Sequence, residues 1–117
     1  MNFRKLILTS GNKVLAGRVA ETNEELVKQA GNNEIVLHTN KPGSPFVNIK
    51  SESKKTSRKD IQEAAIFFAS YSQAWKKSKT KKDVQVDWFL GKDIFKLEGM
   101  KTGTFGVKIH KSIKIKK

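Results

Sequence analysis

Apolar residues along this chain recur with two different periods. Phe3 to Thr9 is rich in β-forming residues, Ser10-Gly11-Asn12 is a turn cluster, and Lys13 to Gly17 resumes the run, so the pair reads as a β-hairpin. Thr22-Asn23-Glu24-Glu25 has the spacing of a capping box, with Thr22 as the cap and Glu25 reaching back. Leu26, Val27 and Ala30 give the helix that follows a short apolar stripe, and Gly31 stands where a left-handed residue would close it. Ile35-Val36-Leu37 predicts a buried strand ending at His38. Phe46-Val47-Asn48-Ile49 predicts the next strand, and the polar, basic residues 50–59 read as a surface linker.

Ser57 and Asp60 mark a second helix start. Ile61, Ala64, Ala65, Phe68, Ser72 and Trp75 fall at helical spacing, and Ala64 to Ala69 is apolar all round, which predicts a deeply buried helix as the spine of the core. It runs out into a lysine-rich segment, where positive charge favours a helix C-terminus.

The last third alternates. Val84, Val86, Trp88 and Leu90 are interleaved with Gln85, Asp87 and Phe89, and Gly91-Lys92-Asp93 is either a turn or the start of a one-turn helix. After the Gly-bounded loop Gly99-Met100-Lys101-Thr102-Gly103, the residues Phe105, Val107, Ile109, Ile113 and Ile115 alternate with polar ones. Period two sends that apolar set inward and Lys108, Lys114 and Lys116 outward, onto one basic β face. Two β-rich ends around helices make the fold class α+β. It is a single domain, 1–117, of mostly antiparallel strands packed on one long and one short helix.

With 117 residues and 37% hydrophobic content, the chain supports one modest core rather than two. There are no cysteines, which excludes disulfides and thiolate metal sites and fits a reducing compartment. No stretch approaches the roughly 20 apolar residues of a transmembrane helix, and Met1–Leu6 lacks the apolar segment of a signal peptide. A cytoplasmic location is expected, without membrane contact.

Charge changes the picture more. The net charge is +13, and residues 76–117 hold 13 Lys against 4 acids, net +9. A surplus of this size selects polyanionic partners. The run containing Lys76, Lys77, Lys79, Lys81 and Lys82 suits electrostatic capture of phosphates, although such a run is also an ordinary solvated surface. Lys41-Pro42-Gly43-Ser44-Pro45, just after His38, is a stiff loop with small residues at its tip. It can bring backbone N–H groups and a hydroxyl to phosphate oxygens, or simply connect two strands. His38 can donate to a phosphate or base edge, or support the turn. Arg18 can fork onto a phosphate, or pair with Glu21 or Glu25. Lys101, in its Gly-bounded loop, is a further candidate. Tyr71, Trp75, Trp88 and Phe89 are core by period, with Phe89, opposite the Trp88 face, the best placed to stack on a base. His38 and His110 are the only histidines and have no carboxylate cluster at ligand spacing, so no metal or other cofactor is expected.

Several pieces, in order, resemble the NFACT-R domain: Gly17-Arg18 after a strand, Asn23-Glu24-Glu25-Leu26 at a helix start, Leu37-His38, Pro42-Gly43-Ser44, Glu63-Ala64-Ala65, Ala69-Ser70-Tyr71-Ser72, Val86-Asp87-Trp88 and Gly99-Met100-Lys101-Thr102-Gly103. That family is regarded as RNA-binding and is best known within large ribosome-associated quality-control factors. The resemblance implies a stand-alone member that binds rRNA or tRNA, with the large ribosomal subunit as a further partner. It adds Gly17 and Asn23 to the candidate RNA-binding residues. It does not extend to lengthening of stalled nascent chains, which involves domains outside the resemblance. Pro45 stands where the family has a second His, Val36 where it has an aromatic, and Thr102 where it has Pro.

Together these observations predict a non-catalytic RNA-binding module that reads phosphate backbone and shape through basic loops and a basic β face. A protein-interaction module docking on acidic partners is the alternative. No nucleophile–base pair or paired-carboxylate site supports an enzyme, and the oligomeric state is left open.

Overall fold

The computed structural model describes residues 3–38, 45–69 and 84–115. The first two apolar runs form the expected hairpin, β1 (Arg4–Ile7) and β2 (Lys13–Ala16). The continuous run at 35–37 becomes β3 (Glu34–His38), and β4 (Val47–Glu52) returns beside it. β5 (Val84–Leu90) pairs with β3, and β8 (Lys111–Ile115) pairs with β5. All pairings are antiparallel, in the order β1-β2-β4-β3-β5-β8. Between β5 and β8, β6 (Ile94–Phe95) and β7 (Gly106–Val107) form a separate two-stranded ribbon. Helices α1 (Ala20–Gln29) and α2 (Arg58–Ala69) complete an α+β fold.

The large sheet is covered on both sides, so the single core expected from composition is two. On one face Val14, Ile35, Leu37, Ile49 and Val86 meet Ile61, Ala64 and Ala65 of α2. On the other, Val36 and Phe89 meet Leu26 of α1 together with Phe46, Phe105 and Val107. A central strand with both faces buried needs apolar side chains at consecutive positions, which accounts for the unbroken Ile35-Val36-Leu37 run. Asn48 is fully buried on the α1 face. Its side chain accepts from Gln29 Nε2 (2.9 Å) and donates to the carbonyl of Ile35 (3.2 Å), stitching the end of α1 to the sheet. Phe89 is 4% exposed, so it is core and not a stacking platform.

Helix α2 begins as expected. Ser57 Oγ accepts the Asp60 N–H, and Asp60 Oδ2 accepts the Ser57 N–H, both at 3.1 Å. Asp60 also accepts from Asn12 Nδ2 (3.1 Å), tying the helix to the first hairpin turn. Burial pushes the Asp60 carboxyl up, but hydrogen bonds from Ser10, Ser57 and Asn12 outweigh this and hold it below its ordinary value.

Four other expectations are corrected. Helix α1 starts earlier than the Thr22 cap predicted, with Val19 as its N-cap. Thr22 sits one turn inside, and its hydroxyl oxygen reaches back to accept the N–H groups of Arg18 (2.7 Å) and Val19 (2.9 Å). The helix ends in extended backbone at Ala30, and Gly31 is not left-handed; its N–H donates instead to Glu34 Oε1 (2.7 Å). Residues 50–59 are not a linker, because β4 runs on to Glu52 and a 3₁₀ turn at Ser53–Lys55 leads into α2. Finally, α2 is not buried all round. Ile66 and Phe67 are 53% and 41% exposed, since one helix lying on a sheet buries only the stripe that faces it. Gly91–Asp93 proves to be a 3₁₀ turn.

Asp60→Ala should cost about 1–3 kcal/mol, the range for stranding buried donors. With its folded pKa lowered, Asp60 contributes its full stabilisation above the ordinary Asp value of about 3.9 and loses it as pH falls through the folded value. Urea titrations should therefore show wild-type stability declining below about pH 4, and less steeply in Asp60→Ala.

Candidate nucleic-acid interface

One end of the sheet, where β2 and β3 finish and β4 and β5 begin, collects most of the candidate residues that the structure describes. Its framework is a buried knot. The Gly17 N–H donates to the Phe46 carbonyl (2.9 Å), and the Phe46 N–H donates to Asn23 Oδ1 (3.0 Å). A Cβ on Gly17 would run into the Asn23 side-chain amide, so glycine is required for α1 to pack this closely on the end of β2. Gly17 and Asn23 thus direct their polar groups to the chain itself and set the position of Phe46.

Phe46 in turn seats His38. The rings stack with centroids 4.1 Å apart and planes 12° from parallel, and His38 remains half-buried at the end of β3. Phe105 meets Phe46 edge-on at 5.6 Å, and Lys96 Nζ lies 4.6 Å above the Phe105 ring. That ammonium bonds Glu24 Oε1 (2.6 Å) and the carbonyl of Lys101 (2.7 Å), while the Gly103 N–H donates to the same Glu24 oxygen (2.8 Å). Burial raises the Glu24 carboxyl, but the bonds from Lys96 and Gly103 and the charges of Lys96 and Lys28 outweigh it, so Glu24 titrates below its ordinary value and stays ionised. Gly103 has φ 81° and lies against Ala20, a fit that a side chain would oppose. The loop expected only to be Gly-bounded is therefore docked on the first turn of α1.

The result leaves Arg18 exposed two residues before α1 and Lys101 exposed in the loop docked on its first turn, with His38 carried on Phe46, the residue that Gly17 binds. Among the described residues Arg18 forms no ion pair with Glu21 or Glu25, the alternative its sequence position allowed. Lys41, Pro42, Gly43 and Ser44 lie outside the described residues, in the segment joining His38 to Pro45. Lys76, Lys77, Lys79, Lys81 and Lys82 also lie outside them, as do Tyr71, Trp75 and Lys116; β5, which follows the lysine run, begins at this same end of the sheet.

The basic β face takes a different form from the one expected. Lys108 is not on β8. The alternation breaks after β7, the Lys108 N–H bonds the Asp93 carbonyl (2.9 Å), and Ile109 points outward at 67% exposure. Lys114 is exposed on β8 opposite Gln85, next to the cross-strand row His38, Asp87, Ser112. Ser112 Oγ donates to Asp87 Oδ1 (2.6 Å), and Gln85 Nε2 reaches both (3.2 Å each), so this face is mixed polar with a carboxylate at its centre. Phe46, Phe105, Lys96 and Glu24 were missed as site residues. Glu24 and Lys96 are 72 residues apart, and nothing local in the sequence pairs them; only Phe46, an aromatic directly after the Pro/Gly loop, carried a usable signal.

Residues 2–109 match the family model of the NFACT protein RNA binding domain. The chain belongs to the NFACT-R family. Over 73 residues, 62% of this chain, it is 37% identical to the archaeal Rqc2 homolog aRqcH of Methanocaldococcus jannaschii, and it spans 11% of that relative's length. The solved C-terminal part of the fibronectin/fibrinogen-binding protein from Streptococcus suis superposes with a TM-score of 0.85 at 24% identity. That match covers 98% of this chain and 45% of the other, and it shows that the two share a fold.

The knot makes a clean test of positioning in this NFACT-R domain. Gly17→Ala should displace Asn23 and strand the Phe46 amide, costing about 1–3 kcal/mol. In Gly17→Ala/Asn23→Ala the clash is already relieved, so chemical denaturation should show losses well short of additive, with coupling of about 0.5 kcal/mol or more.

Proposed function

We propose that this NFACT-R domain is a non-catalytic RNA-binding module of ribosome quality control, acting on rRNA or tRNA at the large ribosomal subunit. Membership of an RNA-binding family supports the class of ligand, and the resemblance to quality-control factors supports the setting. The observation that carries the reading is the corner in which His38 stacks on Phe46, Phe46 is held to Gly17 beside the exposed Arg18, and the loop bearing the exposed Lys101 is docked on the first turn of α1. Arg18 forks onto a phosphate, Lys101 adds a point charge, and the loop holding Lys41, Pro42, Gly43 and Ser44 brings its backbone against the sugar-phosphate chain. The loop docked on α1 and the rigid sheet end recognise shape, while the net charge of +13 supplies attraction over distance. The Asp87 carboxylate, with Gln85 and Ser112 beside Lys114, disfavours phosphate on the neighbouring strand face and leaves it suited to base edges.

Binding to tRNA and rRNA fragments should weaken steeply with salt. For about five phosphate contacts, log K falls against log salt with a slope of about −3.5 to −4.5. A flat profile in fluorescence anisotropy would sink the proposal.

Replacing Lys77, Lys79, Lys81 and Lys82 with Gln should weaken all RNAs alike and flatten that slope by up to about 3 units. Arg18→Ala, by contrast, should change the ranking among RNAs. Equal losses from both sets would remove the distinction between attraction and shape reading.

A further inference from the structure

The opposite end of the sheet holds a feature that RNA binding leaves unused. A groove of 590 Å³ opens between the start of α2, the end of β5 and the beginning of β8. Its floor is aliphatic, from Ile35, Ile61, Leu90 and Ile113. Arg58, His110 and Lys111 stand around it, and among the described lining residues Asp93 is the one acid. Ile109 forms part of the wall at 67% exposure, among the largest exposures of any big apolar side chain described.

We propose that this groove docks an acidic peptide segment of a partner protein, with one apolar side chain as its anchor. The floor favours an aliphatic or aromatic side chain over a nucleobase. Its branched side chains offer no flat ring. Of the rings along the groove, Phe89 is buried in the α1-side core, Trp88 packs on the α2-side core and carries Lys111 Nζ 5.2 Å from its centroid, and His110 stands at the rim. The rim favours carboxylates on either side of the anchor. Lys111, Ser112 and Ile113 belong to β8, an edge strand whose one partner among the described strands is β5. An extended segment lying there can pair its backbone with the strand as well as fill the groove. Lysines on a sheet edge resist pairing with other edges. Lys111 would repel a second copy of this chain, which carries the same lysine and the same +13 charge, and would admit an acidic strand. The inference is independent of the RNA reading, because the two surfaces lie at opposite ends of the strands.

The test is a selection of random dodecapeptides displayed on phage against the whole chain, followed by affinity measurements on the enriched peptides. Acids flanking an apolar residue should be enriched. Ile109→Ser and Lys111→Gln, both at exposed positions, should each weaken those peptides by about tenfold or more. Arg18→Ala should leave peptide affinity unchanged, and Ile109→Ser should leave tRNA affinity unchanged, which also reports that the variant is folded. Enrichment without acids, no enrichment, or peptide binding indifferent to both groove variants would overturn the proposal. So would a loss of tRNA affinity in Ile109→Ser as large as that in Arg18→Ala, which would make the groove an RNA contact.

Discussion

β3 is buried on both of its faces, and the rest of the molecule is arranged around that requirement. Ile35 and Leu37 press against α2 while Val36 presses against α1, so neither helix can be omitted without opening one side of the central strand to water. Each such side chain contributes about 1.5–3 kcal/mol when fully buried, and three in succession make β3 the least replaceable strand. Its neighbours β4 and β5 inherit the same condition, which is why Asn48 is buried with its hydrogen bonds satisfied and why Phe89 belongs to the core. The strand reaches the surface again at His38, at the end of the sheet where α1 begins, and Phe46 is its packing partner there.

That transition from buried strand to exposed corner is what gives the candidate interface its rigidity. The Gly17–Asn23–Phe46 knot and the Glu24–Lys96 pair join segments from three parts of the chain, and neither uses the side chain of Arg18 or Lys101. Arg18 and Lys101 are therefore free to meet a ligand while the backbone beneath them is held. A buried or paired charge such as Glu24 anchors structure; an exposed charge on a fixed backbone gives affinity without reorganisation.

The two ends of the sheet differ in chemistry. One has aromatic packing under exposed cations and loops. The other has an aliphatic groove beside the first turn of α2, with cations at its edge. Antiparallel topology makes this separation possible, since alternate connections fall at opposite ends and each end can accumulate its own residues. The two proposed surfaces, one for a polyanion and one for a peptide, would in this way not compete.

Local chemistry was legible from the chain alone. The Ser10-Gly11-Asn12 hairpin turn, the Ser57/Asp60 cap, the buried run at 35–37 and the family signature at Gly17-Arg18 all rest on contacts within a few residues or on a single repeating period. The errors came where a distant partner decides. Thr22 looked like a cap until the helix was seen to start at Val19–Ala20, and Ile109 looked inward until β7 and β8 proved to lie in different sheets. Composition determined a basic chain without thiol chemistry, and the order of its periodicities an α+β one. Only tertiary structure decided that its apolar residues form two cores, that Gly17 is held to Phe46 and that Glu24 meets Lys96. Pairings across tens of residues depend on how sheet and helices stack, and no periodicity in the sequence encodes that stacking.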